Sequence, residues 1–148
     1  MKTWPPTLAF AFVLALAPAA RAQEAPVDSL ALARQYTAWL YAGQADSLVA
    51  HGSEQTEPAD YGRLTGMLAE RAGNELEVLE ETWKLRNGEC QYWRTVRVSK
   101  MGEPVLLRWV MDPGGRITGI GMGPLSQAPP VDRETCSAAS GEPSPPGR

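Results

Sequence analysis

The chain has 148 residues, carries 14 basic and 17 acidic side chains, and has a formal net charge of -3. It lacks the basic surplus that nucleic-acid or anionic-membrane binding requires, so neither is predicted as a partner. Two distant cysteines and a single histidine, His51, do not make a ligand set, so no metal site is predicted. The chain also has no P-loop and no Rossmann glycine pattern, and we expect no cofactor.

Residues 1–22 have the organisation of a cleavable secretory signal peptide. Lys2 supplies the positive start, residues 7–17 form an apolar run, and small residues lead to a cleavage site after Ala22. A membrane anchor is the alternative, but the run is shorter than the roughly 20 residues that span a bilayer, and Pro18 follows it. The mature protein is therefore predicted to be secreted or periplasmic, with no membrane attachment after cleavage.

The next part of the chain has the apolar spacing of helices. Asp28 is a predicted N-cap of a first helix that stops at Gly43. A short helix over 45–50 follows, and a third begins near Pro58 and stops at Gly73. The positions predicted to face inward on the first and third helices are Leu32, Tyr36, Trp39, Leu40, Tyr61, Leu64, Met67 and Leu68.

The later part changes to strand-like runs rich in β-branched and aromatic residues. These runs cover residues 76–85, 91–100, 104–112 and 116–122. Helices followed by an antiparallel meander predict an α+β domain over residues 23–125, with the N-terminal helices packed on a curved, four-stranded antiparallel sheet.

The first two turns predict a register for the first three strands. A two-residue hairpin loop at Asn87-Gly88 pairs Trp83 with Tyr92 and Glu81 with Arg94. A second two-residue loop, at Met101-Gly102, pairs Arg94 with Trp109 and places the apolar residues on the same face. The predicted inner face contains Leu79, Glu81, Trp83, Tyr92, Arg94, Val96, Val98, Val105, Leu107, Trp109 and Met111. The predicted outer face contains Trp93, Thr95, Arg97, Ser99 and Arg108.

The last strand has two possible registers. A four-residue turn directs Thr118, Ile120 and Met122 inward. A three-residue loop instead directs Gly119 and Gly121 inward, and the sequence leaves both open.

The two cysteines, Cys90 and Cys136, form an even pair in a chain predicted to be exported. A disulfide is therefore favoured, and two free thiols are the alternative. Residues 126–148 are rich in Pro, Ser and Gly and are predicted to form a disordered tail. A Cys90–Cys136 bond would tie part of this tail back to the domain.

One feature of the predicted inner face is unusual, because Glu81 and Arg94 lie opposite each other among aromatic side chains. The pair is either a cross-strand salt bridge or the floor of a ligand pocket, since a single desolvated charge is costly. The predicted ligand-binding residues are Trp39, Glu81, Trp83, Tyr92, Arg94 and Trp109.

Three stretches of the chain carry a resemblance to a known family: 92–97 (YWRTVR), 104–109 (PVLLRW) and 112–119 (DPGGRITG). With the order of elements, they resemble the nuclear transport factor two-like (cystatin-like α+β cone) superfamily, most closely a group of bacterial exported domains without an assigned activity. The resemblance covers residues 30–124 and implies a cone-shaped fold. The superfamily includes isomerases, dehydratases, polyketide cyclases and epoxide hydrolases, and many non-catalytic binding modules. Here the acid–tyrosine pair of the isomerases and the His-Asp pair of the dehydratases have no match.

Because the chain shows no reaction motif, the leading hypothesis is non-catalytic binding of a small amphipathic or anionic ligand, or of a protein partner. The first alternative is an isomerase-, dehydratase- or cyclase-type enzyme, with Glu81 as general base and Arg94 or Tyr92 stabilising an oxyanion. The second is a homodimeric interaction module that pairs through the outer sheet face, where Trp93 and Val110 are predicted to be exposed.

Overall fold

The computed structural model describes residues 28–133 and Cys136. The helices in this part are α1 (Ser29–Tyr41), α2 (Ala45–His51) and α3 (Pro58–Met67), with a π-helical turn at Leu68–Ala72. The strands are β1 (Glu75–Arg86), β2 (Glu89–Val98), β3 (Val105–Met111) and β4 (Ile117–Pro124). They form one antiparallel sheet in the order β1-β2-β3-β4. The predicted α+β class, three helices packed with a four-stranded antiparallel sheet, is confirmed.

The helix boundaries follow from individual residues. Asp28 Oδ1 accepts a hydrogen bond from Ala31 N at 3.0 Å and caps the start of α1. Pro58 occupies the first turn of α3, where its missing N–H costs nothing. Gly43 after α1 and Gly73 after the π-helical turn have φ values of 69° and 75°, which favour glycine. None of the helices in residues 28–133 is both long and apolar enough to cross a membrane.

The β1–β2 hairpin has the predicted register. Asn87-Gly88 has positive φ at both residues, 53° and 76°, as a two-residue hairpin turn of this type requires. Trp83 pairs with Tyr92, and Glu81 pairs with Arg94. The sequence therefore places the charged pair correctly on two neighbouring strands.

Two register shifts interrupt the first half of β1. The second lies between Val78 and Glu80 and leaves Leu79 without a partner on β2. The prediction that Leu79 faces the core is wrong, since this bulge residue is 41% exposed.

The predicted β2–β3 pairing is wrong by two residues. Arg94 lies opposite Leu107 and not Trp109. The chain does not turn back directly after β2, because Ser99 N donates to Asn74 O (2.9 Å) at the junction between the π-helical turn and β1. A shift of two residues preserves the face of every side chain, so the predicted inner and outer faces of β2 and β3 remain valid.

The pairing of β4 with β3 determines which of the two possible registers of the last strand is present. Ile120 lies opposite Trp109 on the inner face, and Gly119 and Gly121 lie on the outer face. These positions are the ones that the four-residue turn predicts. Thr118 is predicted to face inward as well. It has no partner on β3, because the register between β3 and β4 shifts beside it.

The core lies between the helices and the inner sheet face. Two of its buried aromatic residues use their polar groups inside the core: Tyr36 OH donates to Gly115 O (2.6 Å), and Trp109 Nε1 donates to Thr37 Oγ1 (3.0 Å). The largest fully buried side chains are Trp109, Tyr36, Tyr61, Tyr92, Leu40, Leu48, Leu68, Leu107, Ile117 and Val96.

A C-terminal strap, residues 125–133, connects the end of β4 with the opposite end of the sheet. Leu125 N donates to Pro104 O (2.8 Å), and further on Asp132 N donates to Leu85 O (2.8 Å). The Asp132 carboxylate accepts from Gly88 N (3.0 Å) in the hairpin turn. Residues 126–133, the first part of the predicted disordered tail, thus include a backbone contact with the end of β1 at Asp132. Residues 137–148 lie outside the described residues.

Cys90 and Cys136 form a disulfide with a Cα–Cα distance of 5.8 Å, as predicted. The bond joins residues 46 positions apart and is compatible with an oxidising compartment outside the cytoplasm. The predicted signal peptide, residues 1–22, and residues 23–27 lie outside the described part of the chain.

Candidate functional site

An open cleft of about 660 Å³ lies between α1 and the edge of the sheet formed by β1 and β2. Positions on α1 that line it recur every three or four residues, as they must on one helix face. The β1 positions are three residues apart, because each bulge inserts one extra residue between them. The lining residues are Arg34, Thr37, Ala38, Tyr41, Asn74, Glu75, Val78, Glu81 and Arg94.

Arg94 on β2 is held by two carboxylates of β1. Its Nη2 and Nε donate to the two oxygens of Glu75, at 2.5 and 3.2 Å, in a bidentate fork. Its Nη1 donates to Glu81 Oε1 at 3.0 Å. All three guanidinium nitrogens are therefore used, and this side chain is fixed in one orientation.

Glu81 accepts hydrogen bonds from three different side chains. Arg34 on α1 donates from Nε to Oε1 (3.0 Å) and from Nη2 to Oε2 (2.6 Å). The Tyr92 hydroxyl and Arg94 also donate to Oε1. The hydrogen bond from Arg34, supported by the one from Tyr92, outweighs burial and lowers the pKa of Glu81 to about 2. The carboxylate is therefore ionised at any physiological pH.

The neighbours of Glu81 have pKa values that keep the network ionised. Burial disfavours the charged form of Arg94, but hydrogen bonds to Glu75 and Tyr92 outweigh it and raise the pKa of Arg94. Burial and the hydrogen bond to Glu81 raise the pKa of the Tyr92 hydroxyl, which stays neutral. Two arginines and two glutamates then balance, so this ion network (Arg34, Glu75, Glu81 and Arg94, with the Tyr92 hydroxyl) has no formal net charge.

The rest of the cleft wall is less polar. Ala38 and Tyr41 contribute from α1, and Val78 contributes from β1. Burial raises the pKa of Tyr41 to about 12, so its hydroxyl is neutral. Charged and apolar side chains thus line the same cleft, which suits an amphipathic ligand.

The structure brings together only part of the predicted pocket. Glu81 and Arg94 line the cleft, Tyr92 reaches Glu81 from the core, and the Trp83 ring packs edge-on against Tyr92 with centroids 5.7 Å apart. Trp109 is fully buried beneath α1 and does not line the cleft. Trp39 also lies elsewhere.

The Trp39 ring packs instead against His51, with ring centroids 4.8 Å apart. The predicted pocket assumed that every inward-facing aromatic residue reaches the same space. On α1 this fails, because Trp39 lies on a different side of the helix from Arg34 and Tyr41, which line the cleft.

Two members of the ion network, Arg34 and Glu75, were missed by sequence reasoning. Arg34 precedes Ala38 by four residues and Tyr41 by seven, so a helical repeat places it on the cleft face. This spacing is easily overlooked, because the apolar residues of α1 dominate its helical pattern. Glu75 precedes the predicted start of the first strand, and its position depends on two bulges that have no clear sequence signature.

No protein-family model, curated protein or solved structure matches this chain. The similarity to the nuclear transport factor two-like superfamily therefore stays a prediction based on the order of elements and on residues 92–97, 104–109 and 112–119. Within residues 28–133 and 136, no group of three or more His, Cys, Asp or Glu side chains is placed to hold a metal ion.

Proposed function

We propose that this chain is a non-catalytic binding domain, exported from the cytoplasm and built on the nuclear transport factor two-like plan. It takes up a small amphipathic ligand in the cleft between α1 and the β1–β2 edge. The observation that carries the proposal is the ion network that lines this 660 Å³ cleft together with the less polar side chains of Ala38, Tyr41 and Val78.

Arg34 supplies the recognition group for the polar end of the ligand. Its Nε and Nη2 are bound to Glu81, which leaves Nη1 on the opposite edge of the guanidinium. The side chain is 57% exposed and lines the cleft. A ligand carbonyl or carboxylate would accept from Nη1, while its apolar part contacts Ala38, Tyr41 and Val78. The network holds Arg34 in place before binding, so little ordering is needed.

Binding is favoured over catalysis by the state of Glu81. A general base works best with a pKa near the operating pH, and burial commonly raises a catalytic carboxylate toward that value. Glu81 has the opposite shift, to about 2, and both of its oxygens already accept hydrogen bonds from Arg34. The isomerase-, dehydratase- or cyclase-type alternative needs this carboxylate free to take a proton.

A protein partner is the second candidate, and exposed apolar residues beside the cleft favour it. Leu76, Val78 and Leu79 lie on the edge strand β1, and Leu76 is 68% exposed. An edge strand with apolar side chains is a ready surface for another chain. A homodimer through the outer sheet face has less support, because Trp93, predicted to be exposed there, is only 4% exposed.

Mass spectrometry of small molecules released from the purified mature protein tests the proposal. We expect a released amphipathic compound with a carbonyl or carboxylate group, which Arg34→Gln loses. The control is Arg63→Gln, which removes the same charge from an exposed ion pair with Asp60 on α3. Equal retention by both variants, at equal melting temperature, would exclude Arg34 as the recognition group. Light scattering tests the homodimer form of the partner candidate, because a strict monomer at high concentration rules it out.

A further inference from the structure

The outer sheet face, opposite the helices, carries a separate polar groove of about 330 Å³ near the β1–β2 hairpin. Gly119 and Gly121 of β4 form part of its lining and contribute no side chains. Arg86 of β1, Arg108 of β3 and Gln91 of β2 line the same groove. It shares no lining residue with the cleft beside α1.

Arg108 is held in place by neighbours on the two adjacent strands, β2 and β4. Its Cζ lies 5.6 Å from the centroid of the Trp93 ring, and its Nη1 donates to Gln91 Oε1 at 3.3 Å. A Cβ atom at position 121 would lie 2.8 Å from Arg108 Cζ, so the guanidinium rests directly against the backbone of Gly121. The absence of a side chain there makes room for the guanidinium, which is oriented before any ligand arrives.

Among the described residues, Arg86 and Arg108 lack the carboxylate partners that several other arginines of this domain have. Arg34, Arg94 and Arg97 each form an ion pair with a glutamate. Within residues 28–133 and 136, no carboxylate lies within 4.0 Å of the nitrogens of Arg86 or Arg108. Glu89 also lines the groove, and its side chain is exposed.

The local environment also disfavours leaving these charges without a counterion. Arg86 Nε is buried and has no hydrogen-bond partner in the part of the chain that the structure describes. Burial and the positive charge of Arg86 together lower the pKa of Arg108. Two cations that repel each other on a partly buried surface are costly unless an anion neutralises them, and an unsatisfied buried donor is expected to have a partner in the functional state.

We propose that Arg86 and Arg108 together bind an oxyanion, the carboxylate or phosphate group of a small ligand, in this outer groove. Guanidinium groups present paired N–H donors whose spacing matches the oxygens of such a group. The side chain of Gln91 and the backbone of residues 119–121 line the same groove as the two cations. The volume, about half that of the cleft beside α1, limits the ligand to a small one.

The chain itself supplies one competitor for this groove. Glu134 lies two residues before Cys136, whose disulfide to Cys90 is next to the hairpin that carries Arg86. If this carboxylate occupied the groove, no external ligand would be needed. The test therefore includes a variant that removes its charge.

The experiment titrates the mature, disulfide-bonded chain with inorganic phosphate and, separately, with acetate, against chloride at equal ionic strength. Binding is followed by calorimetry and by the indole N–H resonance of Trp93, which lies beneath Arg108. We expect saturable binding of at least one anion, and at least about tenfold weaker binding in Arg86→Gln, because charge-assisted hydrogen bonds are lost. Arg108→Lys tests the second arginine, and melting temperatures verify that both variants fold.

Arg97→Gln is the matched control, because Arg97 lies on the same outer face and is ion-paired with Glu77. Arg97→Gln should leave anion binding unchanged. If it weakened anion binding as much as Arg86→Gln does, the binding would depend only on the general surface charge, and the proposal would be overturned. Absence of saturable binding both in the unmodified chain and in Glu134→Gln would also overturn it. Binding that appears only in Glu134→Gln would show that the chain fills its own groove, which equally rejects an external ligand.

Discussion

Replacing Glu81 by Gln tests whether the ion network stabilises the domain. The side chain is 19% exposed, and the carboxylate accepts from Arg34, Arg94 and Tyr92. The glutamine keeps one acceptor but turns an NH₂ group toward guanidinium donors, and it leaves Arg34 without its carboxylate partner and Arg94 with Glu75 alone. Breaking one partner of a fully buried ion pair costs about 3–5 kcal/mol, and solvent at this rim reduces the expected loss to roughly 2 kcal/mol.

The pH dependence of the unfolding free energy gives a second, independent value for the stabilisation that Glu81 provides. The pKa of Glu81 falls from 4.5 to about 2 on folding. A depressed carboxylate pKa contributes stability that is fully present above pH 4.5 and is lost as the pH falls toward 2. The shift corresponds to at most about 3 kcal/mol, and solvent access reduces it to the same roughly 2 kcal/mol. The difference between the unmodified chain and Glu81→Gln should therefore narrow at low pH.

Urea unfolding at pH 7 and pH 3, followed by tryptophan fluorescence, to which the buried Trp109 contributes, measures both effects. Glu80→Gln is the control, because Glu80 neighbours Glu81 but forms an exposed ion pair with Lys84, 51% exposed at the carboxylate side chain. It should change stability by less than about 0.5 kcal/mol. Equal effects of the two substitutions at pH 7, or a Glu81→Gln difference that does not narrow at pH 3, would refute the role given to the network.

Three further substitutions test other parts of the structure. Tyr92→Phe removes one donor to Glu81 and should cost about 1 kcal/mol in urea unfolding while raising the Glu81 pKa, which NMR titration measures; an unchanged pKa would contradict the contact. Cys136→Ser should lower stability by roughly 2–4 kcal/mol in thermal unfolding, and a reducing agent should then have no further effect. Gly121→Ala should displace Arg108 and lower the melting temperature by several degrees, about 1 kcal/mol; no change in calorimetry would show that the guanidinium moves freely.

Local signals in the sequence are sufficient for the helix boundaries and for the first hairpin. Asp28 and Pro58 carry start signals for α1 and α3, and Asn87-Gly88 fixes its own loop length through the positive φ of both residues. For this reason the pairing of Glu81 with Arg94 is predicted correctly. These features depend on neighbours in the chain and need no knowledge of the fold.

Features that depend on contacts between distant parts of the chain could not be predicted from the sequence. The β2–β3 register shifts by two residues because Ser99 bonds to Asn74, 25 positions earlier in the chain. The bulge at Leu79 and the position of Glu75 likewise depend on how β1 pairs with β2. The faces of β2 and β3 survive because an even shift leaves the alternation intact.

In the candidate site, too, the local contacts are predictable from the sequence and the contacts between distant parts of the chain are not. The pair of Glu81 and Arg94 is predictable, because both lie on one hairpin. Arg34 joins them from α1, 47 positions before Glu81, and only tertiary packing shows the contact. The aromatic residues fail as pocket predictors because Trp109 fills the core and Trp39 packs on His51.

The measurement that tests the proposed function most directly returns the released small molecule to ligand-free protein and maps it by NMR. Binding in the cleft predicts that the largest amide shifts fall on Ala38, Tyr41, Asn74 and Val78, with the compound recovered chemically unchanged. Shifts confined to other surfaces, or conversion of the compound into a product, would contradict a non-catalytic binding site between α1 and the β1–β2 edge.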